Sequence, residues 1–208
     1  MTDGAEAFRA SYDVSRETLD RLRIHAALLE KWNPRINLVS KSTLSTLWAR
    51  HTLDSAQLFE QRPEGAAHWA DLGSGGGFPG LVLAILAHEA APELRFTLVE
   101  SDLRKATFLR TVATETGIGA DIVTERIESL EPLAADVLSA RALAPLPRLL
   151  GFAARHLAPT GRALFPKGVS HATEIEDSLA SWRFDVQKIP SRTDPASVIL
   201  NIGGITHV

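Results

Sequence analysis

Apolar residues recur along this 208-residue chain with two different periods, and the change between them divides it. Up to about residue 64 the spacing is helical. Leu19, Leu22, Ala26 and Leu29 fall on one face of a helix that Ser15 can cap, and Asn33-Pro34 interrupts the stripe. A second helix is predicted from Thr43 through Leu44, Leu47, Trp48 and His51 to Leu58. Arg62-Pro63-Glu64-Gly65 reads as a turn, and as the boundary between an N-terminal helical extension (1–64) and a main domain (65–208). Beyond it, strands predicted over 68–71, 95–100, 120–124, 136–140 and 161–166 alternate with helices over 80–88, 103–116, 146–157 and 171–181. That order implies right-handed crossovers and a parallel sheet with helices on both faces. The tail breaks the rhythm: 184–189 and 197–202 are strand-like runs with no room for a helix between them. They predict an antiparallel hairpin at the edge of a mostly parallel seven-stranded sheet.

The densest chemical signal is Asp71-Leu72-Gly73-Ser74-Gly75-Gly76-Gly77-Phe78-Pro79-Gly80, which joins the first predicted strand to an apolar helix. Pro79 suits a first helical turn. Gly73, Gly75 and Gly77 permit tight turns and close approach of a ligand to the main chain. A loop feeding a helix N-terminus is an anion site, which points to a nucleotide-like cofactor. Two cofactors compete. Gly75 through Gly80 satisfies G-x-G-x-x-G, the dinucleotide fingerprint. The longer match, acid-x-G-x-G-x-G from Asp71 to Gly77, puts a carboxylate at the strand's end, where it repels a pyrophosphate but can hold the loop or face a cationic amino group. S-adenosylmethionine (SAM) carries an ammonium and a sulfonium and no phosphate, so the charge argument favours it.

Ligands of open α/β sheets lie at the carboxyl ends of strands. Glu100 ends the second predicted strand and can accept hydrogen bonds from both hydroxyls of a ribose. After the third, Ile127 can cover an adenine face while main-chain or Glu128 groups meet its edge. The fourth ends in Ser139-Ala140-Arg141-Ala142-Leu143-Ala144-Pro145 and lacks the Asn/Asp-Pro-Pro-aromatic motif of many methyltransferases acting on exocyclic nitrogens. Arg141 instead sets a fixed cation beside the reaction zone, suited to phosphate or a purine edge.

Composition narrows the class. The absence of cysteine excludes disulfides and thiolate metal sites and fits a cytoplasmic protein. Met1 through Glu6 shows no secretory signal, the longest apolar run is too short to span a membrane, and the seven histidines show no metal-ligand clustering. The net charge of −3 gives no global sign of nucleic-acid binding. Two segments nevertheless hold no acid: 31–53, with Lys31, Arg35, Lys41 and Arg50, and 137–173, with Arg141, Arg148, Arg155, Arg162 and Lys167. Together they suggest a basic face and a polyanionic substrate.

Several motifs in combination resemble the RsmG (GidB) family of bacterial 16S rRNA guanine-N7 methyltransferases. They are Trp32-Asn33 with Ile36-Asn37-Leu38, His51 with Leu53-Asp54-Ser55, the Asp71–Gly80 loop with its Gly-Phe-Pro-Gly ending, Lys105 with Phe108-Leu109, Ala140-Arg141-Ala142, and Lys167-Gly168. The resemblance covers about residues 18–203 and departs from the family at Glu100-Ser101, where Asp-Ser is usual. It implies a class I SAM-dependent methyltransferase fold (α/β, Rossmann-like), SAM as donor, and a guanine in the decoding-region loop of 16S rRNA as acceptor. The partner is then free 16S rRNA or the small ribosomal subunit, met by a cytoplasmic monomer. Gly73, Phe78, Ile127, Glu128 and Arg141 would contact SAM or its surroundings, with Asp71, Gly75, Gly77 and Glu100 added on chemistry.

Arg141 and Lys167 are the expected groups nearest the transfer, with Lys105, Arg104, Lys41 and Arg50 as phosphate contacts. His51, Asp54 and Ser55 lie too close together on one helix for a hydrolase triad, so His51 and Asp54 are expected to dock the N-terminal helices at the cofactor mouth. Trp32, Trp48, Trp69 and Trp182 are expected in packing. The competing readings are a SAM-dependent small-molecule methyltransferase, an NAD-dependent oxidoreductase, and an RNA-binding protein without activity.

Overall fold

The computed structural model describes residues 4–208; Met1, Thr2 and Asp3, which begin the stretch read as free of a secretory signal, lie outside them. Seven strands form one sheet: β1 (His68–Leu72), β2 (Arg95–Val99), β3 (Asp121–Val123), β4 (Ala135–Ser139), β5 (Leu157–Lys167), β6 (Trp182–Pro190) and β7 (Val198–His207). Their spatial order is β3-β2-β1-β4-β5-β7-β6. The first five are parallel, and β7 runs antiparallel to both β5 and β6. The predicted sheet and its hairpin ending are therefore observed. Strand order reverses between β1 and β4, where Asp71 lies opposite Ser139. In such a sheet that crevice is where a ligand sits.

Helices α4 (Gly80–Ala90), α5 (Leu103–Thr116), α6 (Leu146–His156) and α7 (His171–Ser178) connect the strands. All of α4 from Gly80 to Ala87 is buried, which explains its unbroken apolar composition: it lies between the sheet and the N-terminal helices. α5 starts where the Asp102 side chain accepts from the N–H groups of Arg104 and Lys105, and it stops at Gly117 in the left-handed region.

The N-terminal segment departs most from expectation. A helix not singled out in the sequence, α1 (Gly4–Ser11), buries Ala5 and Phe8. The Phe8 ring stacks on Tyr12 and tilts against Trp48, so Trp48 is a packing residue. α2 (Arg16–Ile36) starts at the Ser15 cap as predicted but runs through Pro34. A proline this near the end forfeits only one internal hydrogen bond. The helix ends instead at Asn37, in the left-handed region, while the Asn33 side-chain oxygen accepts from the N–H groups of Leu38 and Val39. The second predicted helix is a ribbon of changing pitch. It comprises a 3₁₀ turn (Lys41–Thr46), a π turn (Trp48–Leu53), the short α3 (Asp54–Ala56) and a further 3₁₀ turn (Phe59–Gln61). Its apolar residues and those of α2 share one core with α4 and α5, so the extension is packed onto the sheet rather than appended to it.

Gly80 shows how tightly the first crossover is packed. A Cβ there would lie 2.0 Å from Leu98 Cδ2 and 2.6 Å from Asp71 Oδ2. Gly80→Ala is expected to cost at least about 3 kcal/mol by overpacking, roughly a 6–12 °C fall in melting temperature. Gly119→Ala, whose Cβ meets nothing within 4 Å, should change melting by no more than about 2 °C. Calorimetry of the two variants checks the contrast.

Candidate active site

Asp71, at the end of β1, is fully buried. Its Oδ1 accepts from Ser139 Oγ at 2.6 Å and its Oδ2 from the Gly80 N–H at 3.2 Å, while Ser74 Oγ donates to its carbonyl at 3.0 Å. Trp69 Nε1 donates to the same Ser139 hydroxyl at 3.0 Å. One residue thus ties β1 to β4 and to the start of α4 through its carboxylate, and to Ser74 of the glycine loop through its main-chain carbonyl. Burial raises its pKa to about 6 against the lowering effect of these hydrogen bonds.

The loop spends most of its amides internally. The N–H groups of Gly73 and Ser74 donate to the Val99 carbonyl, Gly77 donates to the Ser74 carbonyl, and Gly75 donates to Glu100 Oε2 at 3.0 Å. Gly75 has φ +51, and that turn aims its amide at the carboxylate. The other Glu100 oxygen accepts from the Asp102 N–H at 2.8 Å. The anion cradle expected of this loop is therefore not formed: two carboxylates, Glu100 and Asp71, accept its Gly75 and Gly80 amides. A pyrophosphate would meet occupied amides and like charge.

His25 reaches the loop from α2, with Nε2 donating to the Gly76 carbonyl at 2.8 Å and its ring 4.9 Å from that of Phe78. It was not foreseen, although a polar residue on the buried stripe of Leu22, Ala26 and Leu29 is the signal that marks it.

A cleft of about 660 Å³ opens above the loop, walled by Ser74, Gly75, Phe78, His51, Arg141 and Lys167 among others. Arg141 stacks over the Phe78 ring at 5.3 Å. Its Nη1 donates to Asp54 Oδ2 at 3.3 Å and to the Arg50 carbonyl at 3.4 Å, and its Nη2 to His51 Nδ1 at 2.8 Å. Lys167 Nζ donates to Glu174 Oε2 at 2.7 Å and to the Ala144 carbonyl at 3.0 Å. Glu174 also accepts from the Leu146 N–H at the start of α6. The pair therefore ties down the β4–α6 loop beside Arg141, where Ala142 holds a left-handed backbone.

A family model for rRNA small subunit methyltransferase G (GidB) matches residues 18–197. The chain belongs to that family. It is 56% identical to the ribosomal RNA small subunit methyltransferase G of Ruegeria pomeroyi, over 94% of this chain and 96% of that protein. It is 54% identical to that of Ruegeria sp. (strain TM1040) over the whole of both. Among solved structures it is similar to a ribosomal protein L11 methylase from Lactobacillus delbrueckii subsp. bulgaricus, with TM-score 0.58 and 21% identity over 77% of this chain and 79% of that one. A TehB-like SAM-dependent methyltransferase from Corynebacterium glutamicum superposes with TM-score 0.56 and 15% identity, over 80% of this chain and 95% of that one. The fold is that of the class I SAM-dependent methyltransferases. With the family shown, the oxidoreductase, small-molecule and inactive RNA-binding readings fall away.

Within this family member, Gly73, Gly75, Phe78, Arg141 and Lys167 line the cleft, while Asp71 acts from beneath it. Glu100 is buried against the loop, with its oxygens on the Gly75 and Asp102 amides. Ile127 is buried, and its carbonyl accepts from His156 Nε2 at 3.0 Å. Glu128 is half exposed and paired with Arg148 at 2.6 Å. Of the expected phosphate contacts, Lys105 and Arg50 line the cleft, with Arg50 facing Asp194 at 3.6 Å. Arg104 is paired with Asp102, and Lys41 is exposed.

The basic segment 137–173 is not a free cationic face. Arg141, Arg148, Arg155, Arg162 and Lys167 all have intramolecular partners, supplied by Asp54, Glu128, the Leu130 carbonyl, Asp185 and Glu174. A charge run reads only its own segment, and the balancing acids lie elsewhere in the chain. No helix among the described residues is long and apolar enough to cross a membrane.

The buried histidines give a pH signature. Burial lowers His25 and His51 to about 4 and also lowers His68 and His156. Between pH 6.5 and about 4 the unfolded chain binds protons that the folded one refuses, so stability falls on acidification. Asp71, raised to about 6, acts oppositely below that pH, but it is one group against several. His25→Gln, which can keep the donor to Gly76, should flatten the slope of unfolding free energy by up to about 1.4 kcal/mol per pH unit. Urea titrations at pH 7, 6 and 5 test this, and an unchanged slope would remove His25 from the account.

Proposed function

We propose that the chain transfers a methyl group from SAM to N7 of a guanine in the decoding-region loop of 16S rRNA, acting in the cytoplasm as a monomer on the rRNA or the small subunit. The observation that carries the SAM half is the occupied loop: its amides are spent, and Glu100 faces it. That arrangement suits a nucleoside without phosphate. Each Glu100 oxygen holds one backbone N–H, and a carboxylate has capacity left for the two ribose hydroxyls. Ile127 would flank the adenine, and Gly73 with Phe78 the remainder of the donor. When bound, SAM supplies an electrophilic methyl group on a cationic sulfur.

Electrostatics support the acceptor. Guanine N7 carries a lone pair and no proton, so the cleft needs no general base, and none of its groups is arranged as one. Positioning and alignment then supply the rate. The donor enters cationic and the methylated guanine leaves cationic, so unpaired cations here would oppose both. The cleft's two inner cations are both neutralised, Arg141 by Asp54 and Lys167 by Glu174. Arg141 keeps donors on its guanidinium for an oxygen of the target nucleotide. Lys167 contributes through the loop it ties down, and Lys105 and Arg50 lie at the cleft for the phosphate backbone.

The test is to incubate the protein with SAM and small subunits lacking this modification, then locate N7-methylguanine by borohydride reduction and aniline cleavage. One SAM-dependent cut in the decoding-region loop is expected in wild type. Arg141→Ala should lower turnover at least about 100-fold, well beyond any loss of folding. A cut elsewhere, or none, contradicts the assignment of the acceptor.

A further inference from the structure

The ribbon before β1 enters the cleft through one hydrogen-bonded chain whose direction is determined throughout. Arg141 can only donate, so His51 Nδ1, 2.8 Å from its Nη2, is the acceptor and carries no proton. The proton of the neutral ring therefore sits on Nε2, 2.9 Å from Thr43 Oγ1. Thr43 accepts it and donates its own proton to the Ser40 carbonyl at 2.9 Å. The His51 ring also packs on Phe78, with centroids 5.0 Å apart, so one aromatic surface carries both the imidazole and the guanidinium. Asp54 holds the other end of the guanidinium, and its second oxygen is fixed by Thr193 Oγ1 at 2.8 Å and Gln57 Nε2 at 3.0 Å.

The guanidinium is thereby set in plane and in rotation. Its Nη1 is committed to Asp54 and the Arg50 carbonyl, and one Nη2 proton to His51. The Nε–H and the second Nη2 proton have no acceptor among the described residues. We propose that His51 is a positioning residue for methyl transfer: its neutral Nδ1, oriented by Thr43, fixes the Arg141 guanidinium so that these remaining donors face the target nucleotide. The proposal deepens the function argued above and rests on it. It assigns the π turn a purpose, since that turn delivers both Arg50 and His51 to the guanidinium.

Two amide substitutions separate the two ring nitrogens. Asparagine places a side-chain oxygen near the position of Nδ1, whereas glutamine places its amide near Nε2. His51→Asn can keep the acceptor for Arg141. His51→Gln keeps a partner for Thr43 and loses that acceptor. Expected in steady-state transfer to unmodified small subunits is a fall of about 100-fold in kcat for His51→Gln, against less than about 5-fold for His51→Asn. SAM affinity and melting temperature should be alike in both. Thr43→Val, which removes the hydroxyl and keeps the shape, should fall between them.

Equal activity of the two His51 variants, whether both intact or both impaired with parallel losses of melting temperature, overturns the positioning role. A second readout does not depend on turnover. In nitrogen-15 spectra of histidine-labelled wild type at pH 7, His51 should show an unprotonated Nδ1 and a protonated Nε2. A protonated Nδ1 overturns the proposal even if the enzyme is active. Absence of any transfer by wild type, with the expected tautomer present, overturns the functional reading instead and with it the role assigned to His51.

Discussion

The buried carboxylate of Asp71 is the constraint on which the rest of the site depends. It meets β4 through Ser139 and α4 through the Gly80 amide, while the main-chain carbonyl of the same residue holds Ser74 of the glycine loop. A charge with no solvent survives only where hydrogen bonds replace the water, and here each bond is also a positional restraint. The close approach of Gly80 follows from it, at the point where strand order reverses between β1 and β4. Glu100 repeats the device one strand away by holding Gly75 and Asp102.

The cleft shows the complementary economy. A protein that handles RNA is expected to carry unpaired cations, and the cleft does offer Lys105 in its wall. Near the chemistry the pattern inverts: Arg141 and Lys167 are each matched by a carboxylate. This suits the proposed reaction, whose donor and product are both cations, because the matched pairs keep geometry and hydrogen bonding while adding little positive potential. On the proposed reading, selectivity for the nucleotide comes from directed donors on a fixed guanidinium.

The alternation of strands and helices, the parallel crossovers and the terminal hairpin were legible because each depends on local periodicity and loop length. The Asp71–Gly80 loop, Glu100 and Arg141 were legible because they sit at strand ends, where ligands of this architecture lie. The internal spending of the loop amides was not legible, since it depends on where Glu100 and Val99 arrive in space. Nor were the partners of Arg141 and Lys167. Asp54 lies 87 positions before Arg141, and the Lys167–Glu174 pair becomes a loop clamp only once β5 and α7 are placed beside α6. His25 and α1 were missed because a buried polar residue and a short helix leave weak periodic traces. The π turn was read as regular helix because its spacing of apolar residues imitates one.

The N-terminal extension is therefore part of the site: His25 on α2 supports the loop, while His51 and Asp54 on the ribbon hold Arg141. The central claim is that the crevice at β1 and β4 is prebuilt for a phosphate-free nucleoside with Arg141 held beside it. The most direct test is a crystal structure with S-adenosylhomocysteine. The account predicts ribose hydroxyls on Glu100, a glycine loop that keeps its internal hydrogen bonds, and a guanidinium still stacked on Phe78. A nucleoside bound away from Glu100, or a loop that releases its amides to the ligand, would contradict it.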